Sequence, residues 1–204
     1  MKSNIKRRIG TLATTVAVLG IVVSPAIASA ATENTTVNVD VGSSISITTS
    51  TTVNISLTPT SNGTLSSAKD TVTVSTNSSN GYNLTLADSD ATTDLVNGSS
   101  DTFTATGGTP AALTAGKWGF ALASGTTGIG VAGFDASYSA ESNSTTSTSK
   151  WAGVPATGSA VTIKSTTSTA TSDATDVWYA AMADTTQPNG TYTDTVTYTA
   201  TAKS

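Results

Sequence analysis

The chain has 204 residues, with nine Lys and Arg against thirteen Asp and Glu. Residues 1–30 read as a removable export signal, which leaves 174 residues, five lysines, no Arg, His or Cys, and a net charge of −8. Those counts exclude disulfides, thiol chemistry, zinc held by Cys or His, imidazole catalysis and a basic stripe against nucleic acid.

In the leader, Lys2, Lys6, Arg7 and Arg8 form a positive n-region and residues 12–23 an apolar h-region. Pro25 then breaks the helix, and Ala28-Ser29-Ala30 is a small-residue cleavage site. An uncleaved anchor is the competing reading, because no charge occurs from Ile9 to Thr32. Gly10, Gly20, Ser24 and Pro25 dilute that stretch and favour cleavage. No second apolar stretch follows, and the sequence closes on Ala202-Lys203-Ser204. The expectation is a secreted or cell-surface protein with no membrane span in the mature chain, held on a cell by non-covalent binding or by assembly.

Beyond the leader, period-two alternation dominates, the pattern of half-buried strands. Val37, Val39 and Val41 alternate with polar residues, and Val53, Ile55 and Leu57 do the same. Val72 and Val74 lead through Asn80-Gly81 to Tyr82, Leu84 and Leu86. Asn-Gly accepts the positive φ angles of a tight turn, so a β-hairpin is predicted there. Trp118, Phe120 and Leu122 follow, then Val161 and Ile163. The last unit is Val177, Tyr179 and Ala181, the turn Pro188-Asn189-Gly190, and Tyr192, Val196, Tyr198 and Ala200. It reads as a second hairpin, with Thr191, Thr193, Thr195, Thr197 and Thr199 on the solvated face. Residues 139–150 and 165–175 are nearly all Ser, Thr and Ala and are expected to be exposed loops. Gly107-Gly108 and residues 125–133 mark further loops. Helix-period stretches with caps are absent. Residues 31–204 are therefore expected to form one all-β domain, an antiparallel β-sandwich.

Asp88, Asp90 and Asp94, with Asp101 beyond, are the candidate calcium ligands, since calcium takes many oxygen ligands. The EF-hand pattern fails at Thr92, Thr93 and Ser99, and a solvated acidic loop is the alternative. Eight Asn-x-Ser/Thr triplets occur, a number that turn chemistry explains where Asn-Gly precedes a strand-starting Thr. Ser and Thr number 67 beyond residue 30, yet no His is present to activate a hydroxyl. A glycan hydrolase would pair two acids across a cleft flanked by stacking aromatics. Trp118 and Trp178 lie in alternating strands and read as packing residues. Trp151, after a Ser-rich stretch, reads as the exposed one. Packing is the first reading of Trp118, yet Trp118, Phe120 and Trp151 are the candidates if the chain binds a ligand through aromatic side chains. Acids in turns should keep ordinary pKa values, so binding should depend weakly on pH between about 5 and 9.

The closing stretch Asn189-Gly190-Thr191-Tyr192-Thr193-Asp194-Thr195-Val196-Thr197-Tyr198-Thr199-Ala200 resembles the last strand of WxL-type bacterial cell-wall surface domains. Val196-Thr197 matches that pattern, Tyr198-Thr199-Ala200 stands where Trp-x-Leu would be, and Trp118-Gly119-Phe120 approximates the first Trp-x-Leu. The resemblance implies an exported β-sandwich on a bacterial surface that adheres to peptidoglycan. With the chemistry above, the expectation is a non-catalytic protein whose partners are a cell-wall polymer or other surface proteins. The same Gly-Thr-Tyr-Thr-Asp-Thr-Val run is similar to secreted pilin-like subunits of the spore-coat-U kind, which usually carry cysteines. That likeness implies a fibre subunit that assembles by strand exchange, with residues 32–41 as the donated strand. A secreted glycan hydrolase is the third reading.

Overall fold

A strand that buries alternate residues needs a second layer to bury them against. The computed structural model describes residues 31–98, 100–122 and 150–204. The expected leader, the loop at 125–133 and residues 139–149 lie outside the described residues. The chain divides into a unit ending at Asp40 and a compact unit, Val41–Ser204. In the first unit residues 31–40 enter no strand ladder, and Val37 and Val39 are 80% and 79% exposed.

The second unit is all-β. Its larger sheet contains β1 (Ile45–Thr48), β2 (Thr64–Thr76), β4 (Leu95–Val96), β5 (Thr102–Ala105), β7 (Lys117–Leu122) and β10 (Ala170–Ala183), in the order β1-β2-β10-β7-β5-β4. A smaller sheet holds β3 (Tyr82–Asp88) between β9 (Val161–Ser165) and β11 (Val196–Ala202). A two-stranded ribbon joins β6 (Ala111–Ala112) to β8 (Lys150–Trp151). Among the described strands pairing is antiparallel apart from β5 with β7, which is parallel. Val72, Val74, Phe120, Leu122 and Val177 from the larger sheet meet Leu84, Leu86 and Ile163 from the smaller in one buried cluster. The domain is sandwich-like, as the alternation predicts.

Neither expected hairpin forms. β2 and β3 are consecutive but lie in different sheets, and so do β10 and β11. The turn before β3, closed by the Gly81 amide donating to the Ser78 carbonyl at 3.1 Å, carries the chain across the sandwich. Gly81 has φ +81°, and a Cβ there would stand 2.4 Å from the Thr166 carbonyl oxygen, so the crossing needs glycine. Likewise β11 pairs with β3, Tyr198 opposite Leu86, and not with β10. Periodicity reports which face of a strand is apolar, and a turn between two such strands serves a hairpin or a crossing equally well.

Two further expectations are corrected. Val53, Ile55 and Leu57 pack half-buried on the core without entering a ladder. Residues 165–175 are mostly strand, since β10 begins at Ala170 and its Asp173, Ala174 and Thr175 pair with β2. Ladder pairing and polar contacts to Asp173 order a stretch whose composition carries little apolar area. The expected Gly107-Gly108 loop is present.

The middle of the larger sheet is buried on both faces. On the side away from the sandwich core, Ala121 and Ala180 contact Leu113 and Trp151, with Trp178 and Met182 at the margin. Among the described residues no helix is long and apolar enough to cross a membrane.

Candidate functional site

The acids singled out for calcium lie between β3 and β5, each accepting a hydrogen bond of its own. Asp88 closes β3, is 1% exposed, and its Oδ1 accepts the Asp90 amide at 3.0 Å. Asp90 Oδ1 accepts the Thr92 amide at 2.6 Å, and Asp94 Oδ1 accepts the Ala105 amide at 3.0 Å. Asp101 accepts from the Asn97 side chain at 3.4 Å. Asp88 and Asp90 each accept the amide two residues on and so hold turns in shape, while Asp94 and Asp101 bond to partners elsewhere, and the four do not converge on an ion. Among the described residues no group of three or more acids, His or Cys is arranged to hold a metal.

One of these acids has a partner that the sequence reading passed over. Asp194 precedes β11, and the Ser89 amide donates to the Thr195 carbonyl at 2.9 Å, which brings Asp194 beside Asp88. The Oδ2 atoms of both carboxyls are buried and receive no N–H or hydroxyl donor. Burial, first, and then the hydrogen bond and charge of the Asp88 side chain push Asp194 up to about 7, with the Asp90 charge adding to it and the Thr195 amide opposing. A carboxyl raised in this way keeps its proton to higher pH than a free aspartate does. The expectation that every acid keeps an ordinary pKa is therefore corrected at Asp194. A signal was present: Asp194 has the parity of Tyr192 and Val196, the inward-facing residues of the same alternation.

The aromatic candidates are interior. Trp118 is 3% exposed, stacks on Tyr179 with ring centroids 6.4 Å apart, and donates its Nε1 hydrogen to the Thr93 carbonyl at 2.9 Å. Phe120 is fully buried, and its backbone pairs with Ala152 at 2.8 and 2.9 Å. Trp151, expected to be exposed, is also fully buried. Its strand β8 folds back through the β6 ribbon and presses the indole on Ala121 and Ala180. All three are packing residues, and none offers a ring face to a ligand.

The exposed chemistry lies on the outer face of the smaller sheet. Thr197, Thr199 and Thr201 alternate outward along β11 while Val196, Tyr198 and Ala200 turn toward the core. The register sets Thr199 opposite Thr85 and Thr201 opposite Asn83, and Thr85 opposite Thr162 of β9. The face thus carries a patch of hydroxyls and one amide, groups that both donate and accept. Beside Asp88 it dips into a hollow lined by Thr85, Thr157, Gly158, Thr197 and Thr199. The Thr row on β11 was legible as alternation. Asn83, Thr85 and Thr162 were not, because their membership depends on pairings between distant segments.

No protein-family model, curated protein or solved structure matches the chain.

Proposed function

We propose that this chain is an exported bacterial surface protein that works without catalysis, by attaching to the cell wall or to another surface polymer. The observation that supports this most is the hydroxyl and amide face of the smaller sheet, centred on Thr85, Thr197 and Thr199. Such a face can exchange hydrogen bonds with the hydroxyl and amide groups of a glycan strand, at little electrostatic cost. Binding of this kind depends weakly on salt, because few charges pair across it. The leader sequence and the resemblance of the closing strand to wall-surface domains point the same way.

The test is co-sedimentation with purified cell walls. Thr197→Glu with Thr199→Glu leaves the core untouched and should weaken binding by about tenfold or more, since each carboxylate displaces a neutral hydroxyl. Unchanged sedimentation of the double variant would remove this face from the account. Turnover of a glycan substrate would replace the reading with a hydrolase.

A second reading has its own observation. Val37, Val39 and Val41 are each about four-fifths exposed and alternate with polar residues in a segment without a ladder. An unpaired apolar alternation of this kind is suited to strand addition between copies. Size-exclusion chromatography across concentrations, with and without residues 31–41, separates fibre-type assembly from a monomeric wall binder.

A further inference from the structure

The lysine buried most deeply in the described chain meets an aspartate of the opposite sheet. Lys164, on β9, is 6% exposed and donates from Nζ to Asp173 Oδ1 at 2.7 Å and to the Ala174 carbonyl at 3.5 Å. Asp173 lies on β10, in the larger sheet. Its second oxygen, Oδ2, accepts the hydroxyl of Tyr82 at 2.7 Å, and Tyr82 is itself fully buried at the start of β3.

Two irregularities in the ladders produce this meeting. Opposite β3 the register of β9 slips between Lys164 and Thr162, so the successive residues Ile163 and Lys164 are both buried. Opposite β2 the register of β10 slips between Ala170 and Asp173, and Ser172 there has φ 51°. A bulge re-aims side chains at the cost of ladder bonds. Here one on each strand aims an amine and a carboxyl at each other across the sandwich.

We propose that Lys164 and Asp173 condense to an intramolecular amide, a covalent staple between the two sheets. A proton passes along the hydrogen bond from Nζ to Oδ1, which leaves a neutral amine and a carboxylic acid. The amine nitrogen attacks Cγ, and the Tyr82 hydroxyl, donating to Oδ2, stabilises the charge that grows on that oxygen. Oδ1 then departs with a second proton from the nitrogen. The Nζ–Cγ bond forms, one Cγ–O bond breaks, and the ammonium and carboxylate together lose one water. Nothing is oxidised or reduced, and no co-reactant is required. Oδ2 becomes the amide oxygen and keeps its bond from Tyr82. Burial raises the Tyr82 phenol well above its ordinary range, assisted by the hydrogen bond to Asp173 and by its charge, so the hydroxyl stays protonated as a donor.

Fixed proximity drives the reaction. Held groups in well-oriented intramolecular reactions reach effective molarities of about 10⁵–10⁸ M when the reacting atoms lie about 3–3.5 Å apart. An amine already hydrogen-bonded to a carboxyl oxygen has the adjoining carbon at the edge of that range. The Asp173 side chain is 31% exposed, so the departing water has a way out. Such a staple would give an exported chain without cysteine the cross-link that disulfides give others.

Tryptic mass spectrometry of the purified full chain, folded and then denatured, reads this directly. Trypsin cannot cut after an acylated lysine. The linked protein should give one peptide spanning residues 151–203, lighter by one water than its sequence mass. Lys164→Arg should give the unlinked mass. Tyr82→Phe should cross-link about 10²–10³-fold more slowly in a time course, the usual effect of removing one such donor. Cleavage after Lys164 in every wild-type molecule, even after prolonged incubation of the folded chain, overturns the proposal. A wild-type rate in Tyr82→Phe overturns the part assigned to Tyr82.

Discussion

A carboxyl raised from 3.8 to about 7 holds its proton more tightly in the folded chain than in the unfolded one. Between those values the native state carries more protons, so stability falls as pH rises through the window from about 4 to about 7. Asp88 and Asp90 are the charges that act on Asp194, and both are negative, so ionisation of Asp194 adds repulsion. Asp194 is only partly buried, so water screens some of this effect. Thermal unfolding should have its midpoint higher at pH 5 than at pH 8, and Asp194→Asn should flatten the difference. A midpoint independent of pH in the wild type would contradict the raised Asp194 carboxyl. A second test at this scale concerns Trp151, whose burial Ser-rich flanks concealed. Trp151→Ala should cost about 3–5 kcal/mol in chemical denaturation, as large-to-small changes in a core do. A cost below about 1 kcal/mol would return the indole to the surface.

At the scale of elements, the alternation was legible and the partnering was not. Val72, Val74, Leu84, Leu86, Ile163 and Val177 all face the core as their parity predicts. Asn80-Gly81 marked a turn correctly, but the turn is a crossing between sheets, and the constraint on Gly81 comes from Thr166, a residue 85 positions away in sequence. No local pattern carries that information. Gly81→Ala should cost about 1–2 kcal/mol for the left-handed backbone alone, plus the displacement of the Thr166 carbonyl. An unchanged denaturation midpoint would mean that the crossing is looser than described. On β11, Val196→Asp places a third carboxylate beside Asp88, its register partner, and should destabilise the domain by about 1–3 kcal/mol. Thr197→Asp, one residue on and outward, should stay within about 0.5 kcal/mol. Equal effects would put the faces of this strand in doubt.

For the whole molecule, composition set the class well: the sandwich-like all-β domain follows from the alternation and the Gly- and Asn-bearing turns. The site was only partly readable. Aromatic residues drew attention as ligand contacts, yet in a domain with few large side chains Trp118, Phe120 and Trp151 are needed inside. Thr and Asn remain for the surface, and their patch forms only when β3, β9 and β11 align. That patch carries the central claim, attachment through the hydroxyl face without catalysis. The most direct test is a titration of the isotope-labelled chain with soluble peptidoglycan fragments, followed by amide chemical shifts. The account predicts saturable shifts at Asn83, Thr85, Thr162, Thr197, Thr199 and Thr201, little altered by salt. Shifts confined to Val37, Val39 and Val41, or no shifts at saturating fragment, would contradict it.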